Sequence, residues 1–479
     1  MKTIPMFFAK VSLKGCEAAA ARHFIHYKHE ESERHITLRK LQLSVLIKYN
    51  YYYIAIFIVL ASAMFQTLPF GRLHELTGIN WFHVTPILLL PLFFPIRKYK
   101  LPPKSLLAFF AVLIGASIIN IPRMGVSATA LSYILDLYIC IALMNLPERF
   151  DLKKLLSIAQ MAAVILMVAM LFKIILYRNY LLTYPNYQKD VFHPTDMPWF
   201  FYGGSNIEAS WFAIFGALVA TRSKLSSFYL AFSWLVSLVY ASRAGLAACA
   251  VITVWMIIHA SSKIRFSFCV ILILTVGYLS FYKLPLVNST AFLSVSDTRK
   301  INMENMQILE GSPLIRTTTF SKMDENGNII KSQIAPRLET IGKDPGSNGR
   351  IKMWKLVPEA FFEQPWGYGA GNALAALQKL SPGTSFRESN VHNLIFQFLL
   401  DGGILGAGIY LYMMLKFSIY NLKDKMVQCP YAAFIGTYML LGMIQFQGAD
   451  VCVYLILGFY FAARSKKREI SLRKQEAFL

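Results

Sequence analysis

The chain has 479 residues, of which 56% are hydrophobic and 15% charged, and its mean hydropathy is +0.46. A soluble globular domain carries about 25% charged residues, so this composition excludes a single soluble domain and points to a chain solvated mostly by lipid. The formal charge of +22 fits many nucleic-acid binders, but in a membrane chain Lys and Arg collect in cytoplasmic loops, and no nucleic-acid partner is expected.

Residues 1–48 read as a polar cytoplasmic N-terminal extension carrying His23, His26, His29 and His35. On a helix the first three drift around one face, a pattern open to metal binding or to a solvated surface helix; the surface helix is preferred. No apolar core of a cleavable signal peptide occurs there, so the first span is expected to do the targeting. Apolar runs near the spanning length of about 20 residues follow. They lie at about 50–67, 81–97, 104–121, 127–146, 154–177, 206–221, 225–241, 244–260, 265–283, 391–415, 429–447 and 449–464. The expected architecture is an all-α integral membrane protein of about twelve transmembrane helices with a large periplasmic loop containing short helices. Helices 1–9 occupy 49–283, the loop 284–390, helices 10–12 391–464, and a basic cytoplasmic tail 465–479.

With a cytoplasmic N-terminus, the inner connections hold Arg97, Lys98, Lys100, Arg149, Lys153, Lys154, Arg222, Lys224, Lys263, Arg265, Lys416, Lys423 and Arg464. The short outer ones hold little beyond Arg72, Arg123, Arg178, Lys189 and Arg243. That asymmetry is what the positive-inside rule predicts, and dropping one span would scatter the basic clusters over both sides. The loop 284–390 is too long to be a passive connection. Its first half is polar. In its second half Ser347 or Asn348 is placed to cap a helix from Arg350, with Ile351, Trp354 and Phe361 near one face, that stops before Pro365, and 372–380 read as a second short helix.

This topology brings three basic side chains to the outer interface: Arg243 at the turn before the eighth span, Arg350 in the loop, and His392 at the start of the tenth. Guanidinium forks bind phosphate oxygens bidentately and stay charged, and histidine is the usual general base near neutral pH. Such a site suits a substrate with a headgroup diphosphate and a hydroxyl to be activated. The plainer readings are an interfacial anchor for Arg243, a surface or helix-start residue for Arg350 and, for His392, an N-terminal helix residue hydrogen-bonded within the loop. Gly367, Gly369 and Gly371 form either an anion-binding nest or, preferably, a packing turn, and Asp401 with Gly402, Gly403 and Gly406 reads as close helix packing. Asp136, Glu208 and His259 are ionisable residues in or near spans, where a functional role is the default. Glu208 lies just beyond Asn206 at the outer mouth. The six cysteines show no CxxC pair, so neither a disulfide framework nor a zinc site is expected.

These residues carry a resemblance. Ser242-Arg243-Ala-Gly245, Arg350 with Trp354, Glu363-Gln-Pro365-Trp-Gly367-Tyr-Gly369-Ala-Gly371, and His392-Asn393 ahead of Asp401-Gly-Gly-Ile-Leu-Gly406 resemble the O-antigen ligase and O-antigen polymerase superfamily of bacterial envelope glycosyltransferases. Gly204-Ser-Asn206 is a weaker match, and Asp401 stands where the family more often has Glu. The resemblance implies a metal-independent transferase without cofactor, in the bacterial inner membrane, its site facing the periplasm. It implies an undecaprenyl-diphosphate-linked glycan as donor, and a lipid-linked glycan or lipid A-core as acceptor. Arg243 and Arg350 would hold the diphosphate and His392 would activate the acceptor hydroxyl, with Asn206, Glu208, Asn393, Gly367 and Gly369 accessory. Direct attack on the anomeric carbon would invert it. A polymerase is favoured over a ligase, with a chain-length regulator as a possible partner. The competing class is a lipid-linked sugar transporter or flippase, whose key residues would gather at the bilayer midplane.

Overall fold

The computed structural model describes residues 51–67, 80–93, 99–146, 151–176, 199–202, 204–220, 225–240, 242–281, 307–308, 318–323, 329–334, 345–382, 390–423, 430–446 and 448–476. The expectations placed on 1–48, on 178–198 and on 284–306 lie outside them. The chain divides into two compact units, 1–55 and 56–479. Of the first, 51–55 are described, as the opening of helix α1 (Tyr51–Met64).

The second unit is built mainly from helices. In order they are α2 (Trp81–Leu89, continued by a 3-10 turn at Leu90–Phe93), α3 (Lys104–Met124), α4 (Ala128–Met144), α5 (Leu152–Leu176) and α6 (Gly204–Val219). Then come α7 (Ser226–Val239), α8 (Arg243–His259), α9 (Ser262–Phe281), α10 (Pro345–Glu363) and α11 (Ala373–Leu380). Helices α12 (Leu394–Lys423), α13 (Pro430–Leu441) and α14 (Val451–Glu476) close the chain. Each apolar run read from the sequence is occupied by helix, at least in part.

The helix ends follow local chemistry. Ser242 and Ser127 are extended N-caps whose hydroxyls accept from Gly245 N (3.0 Å) and Thr129 N (3.2 Å), satisfying amides that a first turn leaves open. Pro345 and Pro430 stand at the first helical position, where a missing N–H is no loss.

Among the described residues, three helices are long and apolar enough to cross a membrane by length and composition: α3, the stretch Lys153–Leu176 of α5, and Leu394–Ile419 of α12. Helices α1, α4, α6, α7, α8, α13 and the first half of α14 are shorter apolar helices. Apolar side chains face outward, as at Ile119, Leu176 and Phe266, each more than 70% exposed. An apolar exterior on long apolar helices is that of an integral membrane protein. Polar side chains inside the helices turn back on their own backbone: Ser117 Oγ donates to Leu113 O (2.7 Å) and Thr437 Oγ1 to Ala433 O (2.7 Å), as a medium without water requires.

The long loop corrects the all-α expectation in part. Besides the helices α10 and α11 it carries a small antiparallel sheet, β1 (Gln307–Ile308), β2 (Thr318–Met323) and β3 (Ile329–Ile334), in the order β1-β2-β3. Thr318 faces Ile334 and Met323 faces Ile329. The helix expected from Arg350 begins earlier, at Pro345, and ends at Glu363 ahead of Pro365. Its apolar face, Met353, Val357 and Ala360, packs with Tyr368, Leu377, Val391 and Leu400. That spacing is one stripe of an amphipathic helix, and it seats the second half of the loop on α12.

Candidate functional site

Helix α12 is not one rod. At Gly403 the backbone turns to φ 67°, ψ −162°, breaking the helix inside the span. A break within an apolar layer frees peptide groups that lipid cannot satisfy. The loop supplies the partners: Tyr368 N and Gly369 N donate to Leu400 O (2.7 Å) and Asp401 O (2.9 Å), and Ile404 N donates to Pro365 O (3.0 Å). Gly367, at φ 90°, lies against this seam; a Cβ on it would stand 2.5 Å from Gly403 N and 2.6 Å from Asp401 O. Only a glycine fits there.

Side chains from α3 fasten the same turn. Gln364 Nε2 donates to Asn120 Oδ1 and to Gly367 O, both at 2.7 Å, and Ala370 N donates to Ser117 Oγ at 2.9 Å. The Asp401 carboxylate accepts from Gln397 Nε2 (2.8 Å) and faces the amides of Gly371 and Ala373. The amides of Gly367 and Gly369 are therefore committed to the carbonyls of Gln364 and Asp401, which is the packing-turn geometry rather than that of a nest open to an anion.

The second feature is the turn after α13. Its four consecutive carbonyls are each taken up by the chain around His392. Leu394 N donates to Gly442 O (2.7 Å), Asn393 Nδ2 to Met443 O (3.2 Å), Arg350 Nη1 to Ile444 O (3.1 Å), and the His392 Nδ1 site meets Gln445 O at 3.1 Å. Asn393 Oδ1 also accepts from Ile395 N (3.0 Å) and Phe396 N (3.2 Å), capping α12. The span read as 391–415 thus begins as helix only at Leu394. His392 precedes it with φ 56°, the one non-glycine residue with positive φ among those described. A side chain persists there only when its surroundings over-determine it. Here Asn390 Oδ1 accepts from His392 N (2.8 Å), and Trp354 Nε1 donates to Val391 O (2.8 Å).

The Gln445 carbonyl can only accept, so Nδ1 carries the imidazole proton and Nε2 is left as the basic nitrogen. The ring is buried, at 9% exposure. Burial and then the positive charge of Arg350 push its pKa down to about 3, against the opposing pull of the Gln445 carbonyl. The imidazole is therefore neutral at physiological pH, with Arg350 within electrostatic reach.

Arg243 and Asn206 form a neighbouring corner. Arg243 opens α8 next to its cap Ser242, whose hydroxyl also reaches Asn206 O at 3.4 Å. Five residues along α6, about 7.5 Å by helical rise, Trp211 packs on Phe446 (4.8 Å) and Tyr438 (5.7 Å). Phe446 follows Gln445 directly, so the aromatic contact joins this corner to the His392 turn. The structure brings Arg350 and His392 to one turn, and Arg243 to a helix start linked to that turn through α6.

Glu208 is fully buried, and its carboxylate holds the same region together. Oε1 accepts from Lys173 Nζ (2.5 Å) and Tyr240 Oη (2.7 Å), and Oε2 accepts from Phe200 N (2.5 Å). Lys173 also lies over the Trp199 ring at 4.2 Å. Reading the sequence singled out Glu208 but missed Lys173, Tyr240 and the Gln445 carbonyl. A lysine near the end of a long apolar run was the available signal; a backbone carbonyl leaves none. Among the described residues no three His, Cys, Asp or Glu side chains stand together as a metal-binding group.

Residues 209–411 match the family model described as O-antigen ligase. The matched stretch is under half of the chain and includes Arg243, the Glu363–Gly371 turn, Arg350 and His392. It supports placing the chain in the O-antigen ligase and polymerase superfamily, whose members are glycosyltransferase-like enzymes. Comparison with curated proteins gave no match.

Proposed function

We propose that this protein polymerises undecaprenyl-diphosphate-linked oligosaccharide repeat units into O-antigen, capsule or exopolysaccharide at the periplasmic face of the bacterial inner membrane. On this reading twelve helices cross the bilayer, both termini are cytoplasmic, and no metal or cofactor takes part. The observation that carries it is the His392 ring, with Nδ1 anchored on Gln445 O and Nε2 left as the base, beside Arg350.

In the reaction, Nε2 takes the proton of the acceptor hydroxyl as its oxygen bonds to the anomeric carbon of the donor. The bond from that carbon to the diphosphate breaks, and undecaprenyl diphosphate leaves with the electron pair and inverts the centre. Negative charge grows on the leaving diphosphate, where Arg350 and Arg243 stabilise it; fixed cations aimed at developing charge are the strongest general device for such steps. The low basicity of His392 then has a use. Burial is the larger cause of it and the Arg350 charge the smaller; a bound diphosphate offsets the second, so the base strengthens when donor is present.

The test is incubation of purified protein with lipid-linked repeat units, with and without lipid A-core. A ladder of polymer without core is the expected result, and a chain-length regulator added to the assay narrows the ladder. Transfer only in the presence of core makes the protein a ligase. Movement of the lipid-linked sugar across the bilayer with no transfer in either case replaces the enzyme with a flippase.

A further inference from the structure

A cavity of about 310 Å³ opens between α3, α12, α13 and α14. Its walls are apolar, with Leu106, Phe109, Phe398, Phe417, Leu457 and Phe461 among them. One end meets Leu394 and Gly448, beside the turn that carries His392; the other meets Pro103, Lys416 and Arg464. The ends are far apart. Along α14, Val453 and Arg464 both line the cavity, which is about 16 Å of helical rise. Pro103 precedes α3, whose far end carries Asn120 on Gly367, about 25 Å along the axis. The groove thus leads away from the His392 turn and finishes at two cations.

We propose that this groove binds an anionic phospholipid from the leaflet opposite His392, with an acyl chain along its apolar wall and its phosphate at Lys416 and Arg464. Hydrocarbon fits an aromatic and aliphatic wall that offers few polar partners. A planar guanidinium and an ammonium together match a phosphate diester, the first by paired hydrogen bonds and the second as a point charge. Basic recesses between transmembrane helices on the cytoplasmic side are where acidic headgroups are held. The lipid-linked donor fits less well, because a diphosphate at the His392 end would lie a groove's length from both cations. Calling the leaflet cytoplasmic rests on the orientation proposed above; the pairing of groove and cations does not.

The test uses the full chain in nanodiscs of phosphatidylcholine doped with phosphatidylglycerol, with bound lipid counted by native mass spectrometry after release. Wild type retains phosphatidylglycerol in preference to phosphatidylcholine. Lys416→Glu/Arg464→Glu loses that retention about tenfold or more, since each basic residue contributes about 1 kcal/mol to an acidic headgroup. Leu457→Trp, which fills the groove and leaves the charges alone, loses it as well. The control Lys263→Glu/Arg265→Glu, at the start of α9, keeps it. Unchanged retention in both groove variants overturns the site. So does equal loss in the control, which reduces the effect to general surface attraction, and so does displacement of phosphatidylglycerol by added undecaprenyl diphosphate, which gives the groove to the donor's tail.

Discussion

Replacing Glu208 by Gln leaves the Lys173 ammonium, 3% exposed, without its counter-charge. With its oxygen toward Phe200 N, Gln presents its NH2 to Tyr240 Oη, whose hydroxyl turns to accept from it, so most of the loss is the pair itself. Breaking a buried ion pair by removing one partner costs about 3–5 kcal/mol. The Trp199 ring at 4.2 Å goes on stabilising the cation, which places the single change near ~3 kcal/mol. Lys173→Met strands the carboxylate in the same way and costs about as much. The double variant has no lone charge left, so its loss stays near ~3 kcal/mol and the coupling term is ~3 kcal/mol. The assay is unfolding of the four proteins in mixed micelles titrated with dodecyl sulfate, followed by tryptophan fluorescence. Additive losses, with the double variant near ~6 kcal/mol, refute the argument, because the two side chains would then act separately.

The other predictions concern the His392 turn. His392→Ala abolishes glycan extension in the lipid-linked repeat assay while membrane insertion, followed by fractionation, is retained; normal polymer removes the catalytic role. Arg350→Lys keeps a charge but loses the fork, and reduces turnover on the order of 10–100-fold, the worth of a charged hydrogen bond; full turnover makes Arg350 a generic cation. The His392 pKa, held at about 3 by burial and Arg350, also sets a pH dependence. The unfolded chain binds a proton near the ordinary value of about 6.5 and the folded one does not. Stability from this group is therefore complete above about 6.5 and is lost as pH falls toward about 3. Unfolding midpoints between pH 7 and pH 4 fall more steeply for wild type than for His392→Gln, and equal slopes contradict the assigned cause.

Hydropathy and charge asymmetry located the helices because lipid solvation acts on runs of residues, and a run is visible in one dimension. The helix over 350–363 was legible for the same reason, but its inner face was not: the sequence put Ile351, Trp354 and Phe361 near one face, whereas the buried stripe is Met353, Val357 and Ala360 and Ile351 is exposed. What stayed hidden is backbone that leaves the helix at an apolar position. The run read as 429–447 stops as helix at Leu441, although Gly442, Met443 and Ile444 are as apolar as what precedes them. Their carbonyls are served by Leu394, Asn393 and Arg350, residues distant in sequence. The break at Gly403 was equally illegible: Asp401-Gly-Gly reads as close packing, and its partners lie more than thirty residues earlier, at Pro365–Gly369. Of the candidate residues, the Arg350 and His392 identities were readable as types. Their common platform, and the tautomer it dictates, required the fold.

The seam between Pro365–Gly369 and Leu400–Ile404 has a bearing on biogenesis. A membrane helix is ordinarily handed to lipid as a self-sufficient cylinder, but α12 carries peptide groups at its break that only another stretch of the same chain can accept. Ribosomal order makes that stretch available first. The loop must already be folded into its turn when α12 arrives (and, in the orientation proposed above, already across the membrane), so the template precedes the part it completes. A nascent chain stalled before Gly371 would hold the mould, whereas one that emerged without it would present the insertion machinery with a segment unable to settle.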